Sequence, residues 1–280
     1  MPIAKRFAMP IRPIPIMAGV AVAALLCASS SMAQSLGAAS SFAIAGAAGV
    51  TAAGGAGTVI TGDVGSSPNG SITGFPPALV ASPFGVHAND TLAIAAQAAS
   101  IALFTELGSG ACTDAPVAQM SGANFGPGVH CFTSTADLAA SSTMTLTGAG
   151  IYIFRVPAAL TANVLSTVNL VGVNPCTVFW QVGSEATLNG VNFPGTVVAQ
   201  AGVTLGVGAG LTGRALATNG PVTLSGSNSA GGCSVALPPP GPGVPVPPAS
   251  GIPTLSEWTM MALSTILALA GIAALRRRAK

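Results

Sequence analysis

The most regular alternation of apolar and polar positions lies between Thr177 and Gly231. Three rows can be written beneath one another there: TVFWQVGSEATLNGVNFPG, TVVAQAGVTLGVGAGLTG and RALATNGPVTLSGSNSAG. They are 19, 18 and 18 residues long. Each holds an apolar strand, a turn containing glycine, a short x-Thr-Leu strand and a small-residue stretch ending in glycine. A fixed period of this kind, built from short strands and glycine corners, predicts a β-solenoid. Looser copies precede it, MTLTG at 144–148 and IYIFRV…TVNLVG within 151–172. An antiparallel sandwich also has short strands, but it does not repeat the same side chains at the same offset.

Side chains alternate along a strand, so the aligned rows assign columns to faces. In the first strand the sets Ile153/Phe179/Val198/Leu216 and Phe154/Trp180/Ala199/Ala217 are both apolar. A strand apolar on both sides needs cover on both. One set fills the interior. The cover for the other is predicted to be a helix over 90–107, DTLAIAAQAASIALFTEL, capped by Asn89 or Asp90 and stopped by Gly108. Helical spacing places Leu92, Ala95, Ala96, Ala99 and Leu103 on its packing face.

The second strand differs. Its central positions are Thr145, Asn169, Thr187, Thr204 and Thr223, each followed by a leucine, namely Leu146, Leu170, Leu188, Leu205 and Leu224. Inward leucines send the Thr/Asn column outward. Threonine favours strands, so a merely solvated face would carry it too. The functional alternative is a flat, nearly charge-free array of hydroxyls and methyls on coils ~4.8 Å apart, a spacing able to order surface water.

Charge sharpens the picture because it is so unevenly spread. Seven of the nine basic residues lie at the two ends. Between Gln34 and Leu237 only Arg155 and Arg214 stand against Asp63, Asp90, Glu106, Asp114, Asp137 and Glu185, which leaves that region at −4. This excludes the basic footprint that nucleic-acid binding needs. Lys5, Arg6 and Arg12 before an apolar run at 14–28, then Ser31-Met32-Ala33, predict a signal peptide over 1–33. The solenoid domain is expected over 34–236 and a proline-rich, extended linker over 237–251. Residues 252–280 close the chain: a transmembrane stretch at 259–275, long enough to span a bilayer core with little tilt, precedes Arg276, Arg277, Arg278 and Lys280. Cys27 leaves with the signal. Cys112, Cys131, Cys176 and Cys233 remain, an even count that suits two disulfides in an exported chain. Of three possible pairings, Cys112–Cys131 and Cys176–Cys233 is favoured, the first closing a loop and the second clasping the last coils. No CxxC spacing supports a zinc site, so no metal and no cofactor is expected.

Catalysis finds little support. The acids are scattered, and the three rows contain only Glu185, whereas glycoside hydrolysis needs paired carboxylates. Asp63 in GDVGSSP reads as a turn or cap residue. His87 precedes the helix and His130 adjoins Cys131, and no nucleophile is visibly linked to either. Arg155 and Arg214 read as ion-pair or edge residues. No catalytic residue is assigned and the chain is not expected to be an enzyme.

At this point a resemblance adds to the reading. SFAIAGAAGVTAAGGAGTVITGDVGSSPNGSITGFPPA over 41–78, HANDTLAIAAQAA, CTVFWQVGSEATL and GRALATNGPVTL occur in that order within 36–229. Together they resemble the bacterial and microbial-eukaryotic ice-binding proteins. The resemblance implies a right-handed discontinuous β-helix, mainly β and roughly triangular in section, with one long α-helix alongside. It also implies an ice crystal surface as partner, met by a flat β-face rather than a pocket. Asn169 within the column and Glu185 beside it make moderate activity the expectation. Separately, Ile252-Pro253-Thr254-Leu255-Ser256-Glu257-Trp258, the apolar span and the arginine cluster resemble the IPTL-type C-terminal sorting signals of Gram-negative bacteria. That resemblance implies a membrane-bound processing machinery as second partner. It places the protein at the cell surface or outer envelope, or outside the cell after tail processing. A cell-surface adhesin or structural matrix protein of the same fold is the alternative function.

Overall fold

A computed structural model of the protein describes residues 35–190 and 192–233. The expected signal peptide, linker, sorting motif and membrane span lie outside these residues. Within them the chain forms eleven-, seven- and three-stranded sheets. Strand pairing in all three is parallel. Short parallel strands stacked coil upon coil are what the repeating rows predict. The seven-stranded sheet makes one face, called here the threonine face. The larger sheet folds around a corner. Strands Phe193–Ala199 and Gly210–Ala217 are long enough to contribute to two faces. The first half of Gly210–Ala217 pairs with Ser229–Gly231, and its second half pairs with Phe42–Gly46. At that corner Gly195 (φ 104°) and Gly213 (φ 156°) are direct partners, and a Cβ on Gly213 would overlap the Gly195 carbonyl oxygen. Only glycine permits both that backbone conformation and that approach.

The coils do not stack in sequence order. Gly210–Ala217 pairs with Phe42–Gly46, Val222–Leu224 with Val50–Ala52, and Ser229–Gly231 with Val59–Thr61. The first strands of the chain therefore continue the solenoid beyond its last coil. This is the discontinuity the resemblance implies.

Inside, parallel register stacks like on like. His130, Phe154, Trp180 and Phe193 form a ladder with successive ring centroids 5.2, 4.2 and 4.9 Å apart. The one indole N–H in this ladder donates to the Pro194 carbonyl at 2.9 Å, so the buried Trp180 leaves no donor unmet. The first-strand columns keep their expected faces but not their register. Phe179 pairs with Thr196 and Trp180 with Val197, two residues before the Val198 and Ala199 that aligning the rows suggested. A two-residue slip preserves the face because the side-chain period is two. The seven-residue strand Phe193–Ala199 begins before the corner and absorbs the difference.

One helix, Thr91–Leu107, covers a face of the larger sheet, called here the helix face. Asp90 caps it: Oδ1 accepts from the Ala93 N–H at 2.9 Å, and Oδ2 lies 2.8 Å from His87 Nδ1. The buried side of the helix is Ala93, Ala96, Gln97, Ser100, Leu103 and Leu107, packed with Phe42, Ile153, Phe179, Val198 and Leu216. Ala96 and Leu103 face the sheet as expected, but Leu92 is 40 % exposed and Ala95 lies outside the packed side. The helix is apolar almost all round, so spacing alone does not fix its rotation. Polar satisfaction does: Gln97 Nε2 donates to the Ala217 and Thr218 carbonyls at 3.2 and 2.9 Å. The sheet also caps the far end. Arg155 Nε and Nη1 donate to the carbonyls of Leu107 and Gly110 at 2.5 and 2.7 Å, and Gln181 Nε2 donates to that of Phe104 at 2.9 Å. A cation at a helix C-terminus is favourable.

Of the two roles expected from sequence, ion-pair or edge residue, the first is not met: among the described residues neither arginine meets a carboxylate. Arg214 is fully buried and donates to the Ser40 carbonyl at 2.9 Å and to the Cys233 carbonyl. Burial pushes its pKa down to about 10. It thus ties the beginning of the described chain to its end.

Candidate functional site

The threonine face is built from Ala136–Leu138, Leu160–Ala162, Glu185–Leu188, Gly202–Leu205, Val222–Leu224, Val50–Ala52 and Ile72–Thr73, in that order. Leu138, Leu160, Leu188, Leu205, Leu224 and Val50 point inward and are fully buried. The residues between them must point outward. Their register is unbroken: Asp137, Thr161, Thr187, Thr204, Thr223, Thr51 and Thr73 are successive partners. Six threonines therefore stand in one column, one per coil, at the ~4.8 Å repeat of paired strands. Each presents a hydroxyl and a methyl on a β-branched side chain that is already stiff at χ1, so little freedom remains to be lost on contact.

The flanks are low. Residues two before the column include Gly202, Pro221 and Gly49, which project little. Two side chains break the uniformity. Glu185 lies opposite Gly202, and the missing side chain there leaves room for its carboxylate to accept from Thr204 Oγ1 at 3.0 Å. Asp137 begins the column and accepts from Asn163 Nδ2 at 2.8 Å. At the other end Thr73 Oγ1 donates to Thr51 Oγ1 at 3.3 Å. The remaining outward surface of these strands carries no charge.

The five residues expected to form one column are divided. Thr187, Thr204 and Thr223 are together on the threonine face. Thr145 and Asn169 are partners on the three-stranded sheet, on a third face of the solenoid. A full turn contains three strands rather than two. In the early coils the Thr143–Thr147 strand occupies the third position, and the threonine-face strand of that turn is Leu160–Ala162. Thr161, Thr51 and Thr73 were missed. The signal for them is the apolar-Thr-Ala triplet at 160–162 and 50–52 and the Ile-Thr pair at 72–73. Placing the last two also requires knowing that the chain's first strands stack upon its last.

Other candidate chemistry resolves into structure. Disulfides join Cys112 to Cys131 and Cys176 to Cys233, with Cα atoms 5.9 and 5.4 Å apart. Asp63 Oδ1 accepts from the Gly85 N–H at 2.9 Å and lies 3.6 Å from His87 Nε2, so Asp63, His87 and Asp90 brace the start of the helix. His130 belongs to the aromatic ladder and lies 3.0 Å from Asp114. Among the described residues neither histidine is hydrogen-bonded to a hydroxyl or a thiol. No cluster of His, Cys, Asp and Glu among the described residues could hold a metal ion. Nor is any helix among them long and apolar enough to cross a membrane.

Comparison with known proteins agrees with this architecture. A family model described as "Ice-binding-like" matches residues 44–229, and the IPTL-CTERM motif matches residues 251–278. The chain is 33 % identical over 170 residues to an ice-binding protein of Nostoc sp. (strain HG1), covering 58 % of this chain and 62 % of that one. It thus spans less than two thirds of that relative's length. Among solved structures it is similar to an ice-binding protein from the Antarctic ascomycete Antarctomyces psychrotrophicus. That match has 33 % identity and a TM-score of 0.63, over 73 % of this chain and 98 % of the other. A second is an ice-binding protein from an Antarctic biological consortium, 32 % identical with a TM-score of 0.64, over 70 % and 90 % of the two chains. The family is an ice-binding one rather than a catalytic one. With a parallel three-faced solenoid, a helix along one face and a family match over most of that body, the chain belongs to the ice-binding-like family.

Proposed function

We propose that the protein binds ice through the threonine face, and that its contact residues are Thr161, Thr187, Thr204, Thr223, Thr51 and Thr73. The observation that carries this is their unbroken register across six coils. Hydroxyls hydrogen-bond a surface water layer, while methyls exclude loosely held water. A charged group would impose its own hydration instead. Glu185 and Asp137 are therefore local defects, and moderate activity follows.

The action is non-enzymatic. Export with retention at the cell surface is supported by the IPTL-CTERM motif, and a tail held by a membrane machinery would tether a cell to ice. Loss of the tail would instead release the solenoid as an extracellular inhibitor of ice recrystallisation. The test is ice recrystallisation at micromolar concentrations of the purified chain. Retarded grain growth and faceted crystals are expected. Growth indistinguishable from buffer would leave a surface adhesin or matrix protein as the reading.

A further inference from the structure

Each full turn of the solenoid runs from the third face round a corner to the helix face, and then to the threonine face. Phe193–Ala199 followed by Gly202–Leu205 is one such turn. Ser229–Gly231 begins another on the third face, beside the first half of Gly210–Ala217. Cys233 then stops at the corner between the third and helix faces, held by the Arg214 side chain and by Cys176. Cys176 occupies the same corner, in the short helical turn Pro175–Thr177 between Thr167–Val171 on the third face and Val178–Val182 on the helix face. In a three-faced body this is the corner opposite the threonine face. The tail that follows Cys233 in the sequence starts there.

The exit is also centred along the stack. Each coil can be named by the threonine it goes on to carry, and the strands of these coils are successive partners. The disulfide joins Cys233 to the coil of Thr187, with Cα atoms 5.4 Å apart. Next to Cys176, Thr177 Oγ1 donates to the Gly150 carbonyl at 2.7 Å, in the coil of Thr161. Arg214, in the coil of Thr223, donates to the Cys233 carbonyl and to Thr196 Oγ1 at 3.4 Å, in the coil of Thr204. The same guanidinium donates to the Ser40 carbonyl at 2.9 Å, just ahead of the coil of Thr51. Of the six threonines only Thr73 belongs to a coil without one of these links. One link is covalent, and three use a charged donor, the stronger class of hydrogen bond.

We infer that this clasp is a force-bearing anchor, which delivers tension from the C-terminal tail to the middle of the coil stack, on the side away from the threonine face. The inference rests on the ice-binding and cell-surface readings above. A tether at the end of a row of contacts loads the last one alone, and the row peels open one contact at a time. A tether opposite the middle loads the row together, so several contacts must fail at once. The disulfide also diverts the pull from the three-residue strand Ser229–Gly231, whose few hydrogen bonds would otherwise open in sequence.

The experiment measures the force that detaches the purified chain from ice when one molecule is pulled by a tether. One tether is attached at the C-terminal end. The other is attached through an azide-bearing residue in place of Gly126, where an added side chain meets nothing within 4 Å. Gly126 lies at the same corner, between Asn124–Phe125 and Gly128–Cys131, in the end coil that carries Asp137. The two tethers therefore differ chiefly in height along the stack. The C-terminal tether is expected to need about twice the force or more, because contacts engaged together outlast contacts engaged singly. Equal forces, or a greater force at Gly126, would overturn the anchor. The Cys176→Ala/Cys233→Ala variant, its fold checked by circular dichroism, is expected to lose this advantage and to extend stepwise before it detaches. Detachment of that variant at the wild-type force without extension would also overturn it. If neither tether holds to ice, the ice-binding reading fails. The anchor is then judged by pulling between Gly126 and the C-terminal end, where the disulfide-bonded chain should resist the stepwise extension that the double alanine variant shows. Identical extension of the two would overturn it.

Discussion

The helix face and the threonine face are made by the same coils, yet one is sealed and the other open. Both have inward columns that fill a single core. They differ only in what points away from it. On the helix face Ile153, Phe179, Val198 and Leu216 point outward, and the helix buries them. On the threonine face the corresponding positions are threonines. A solenoid cannot leave a column of large apolar side chains in water without covering it, whereas a threonine column is stable uncovered and remains free to meet a ligand. The stability of this protein should therefore reside mainly in the covered face and the clasps around it, and its activity in the open one.

That division can be broken at several points. The largest effect is expected from the Cys176–Cys233 disulfide, which closes 57 residues and encloses the coils bearing Thr187, Thr204 and Thr223. By loop-closure entropy, the double alanine variant should lose about 4 kcal/mol in a chemical unfolding experiment. Leu103→Ala empties part of the helix–sheet interface and should cost about 2–5 kcal/mol, with ice activity unchanged wherever the protein remains folded. Asp90→Ala removes the helix cap and should cost about 1 kcal/mol.

Asp90 also gives the helix face a pH signature. Burial pulls its pKa up, but the Ala93 N–H and His87 pull it further down, so its net value lies below the usual one. The carboxylate therefore stabilises the fold fully above the unfolded pKa of about 3.9, and the contribution is lost as pH falls through the lower folded value. Acid unfolding of Asp90→Asn should be shallower than wild type over that range. A titration in which the two curves run parallel would remove Asp90 from the account. The smallest effect on stability, within about 0.5 kcal/mol, is expected from Glu185→Ala. That variant frees the Thr204 hydroxyl and deletes a charge, so it should inhibit recrystallisation better than wild type. A decrease would make Glu185 part of the contact surface.

The covered and open faces were not equally legible in the sequence. Both apolar columns of the first strand reveal a layer buried on each side, and Asp90 and Gly108 bound the helix that supplies the cover. Its rotation was not legible, because Leu92 and Ala95 are as apolar as Ala96 and Leu103, and the choice was made by hydrogen bonds from Gln97, Gln181 and Arg155 to distant carbonyls. On the open face, three of six threonines follow from the repeat. The other three depend on topology. Thr161 precedes an alanine where its neighbours precede leucine, and Thr51 and Thr73 join the column only because the first strands stack on the last. A repeat read along the chain orders coils by sequence, whereas this fold orders them by contact.

The central claim is that the open face meets ice and the covered face does not. It is tested most directly by comparing recrystallisation inhibition of Thr204→Tyr and Ile94→Tyr. Both residues are on the surface, the second on the outer side of the helix at 51 % exposure. The account predicts that Thr204→Tyr loses most of its activity while Ile94→Tyr matches wild type. Full activity in Thr204→Tyr, or equal loss in both variants, would contradict it.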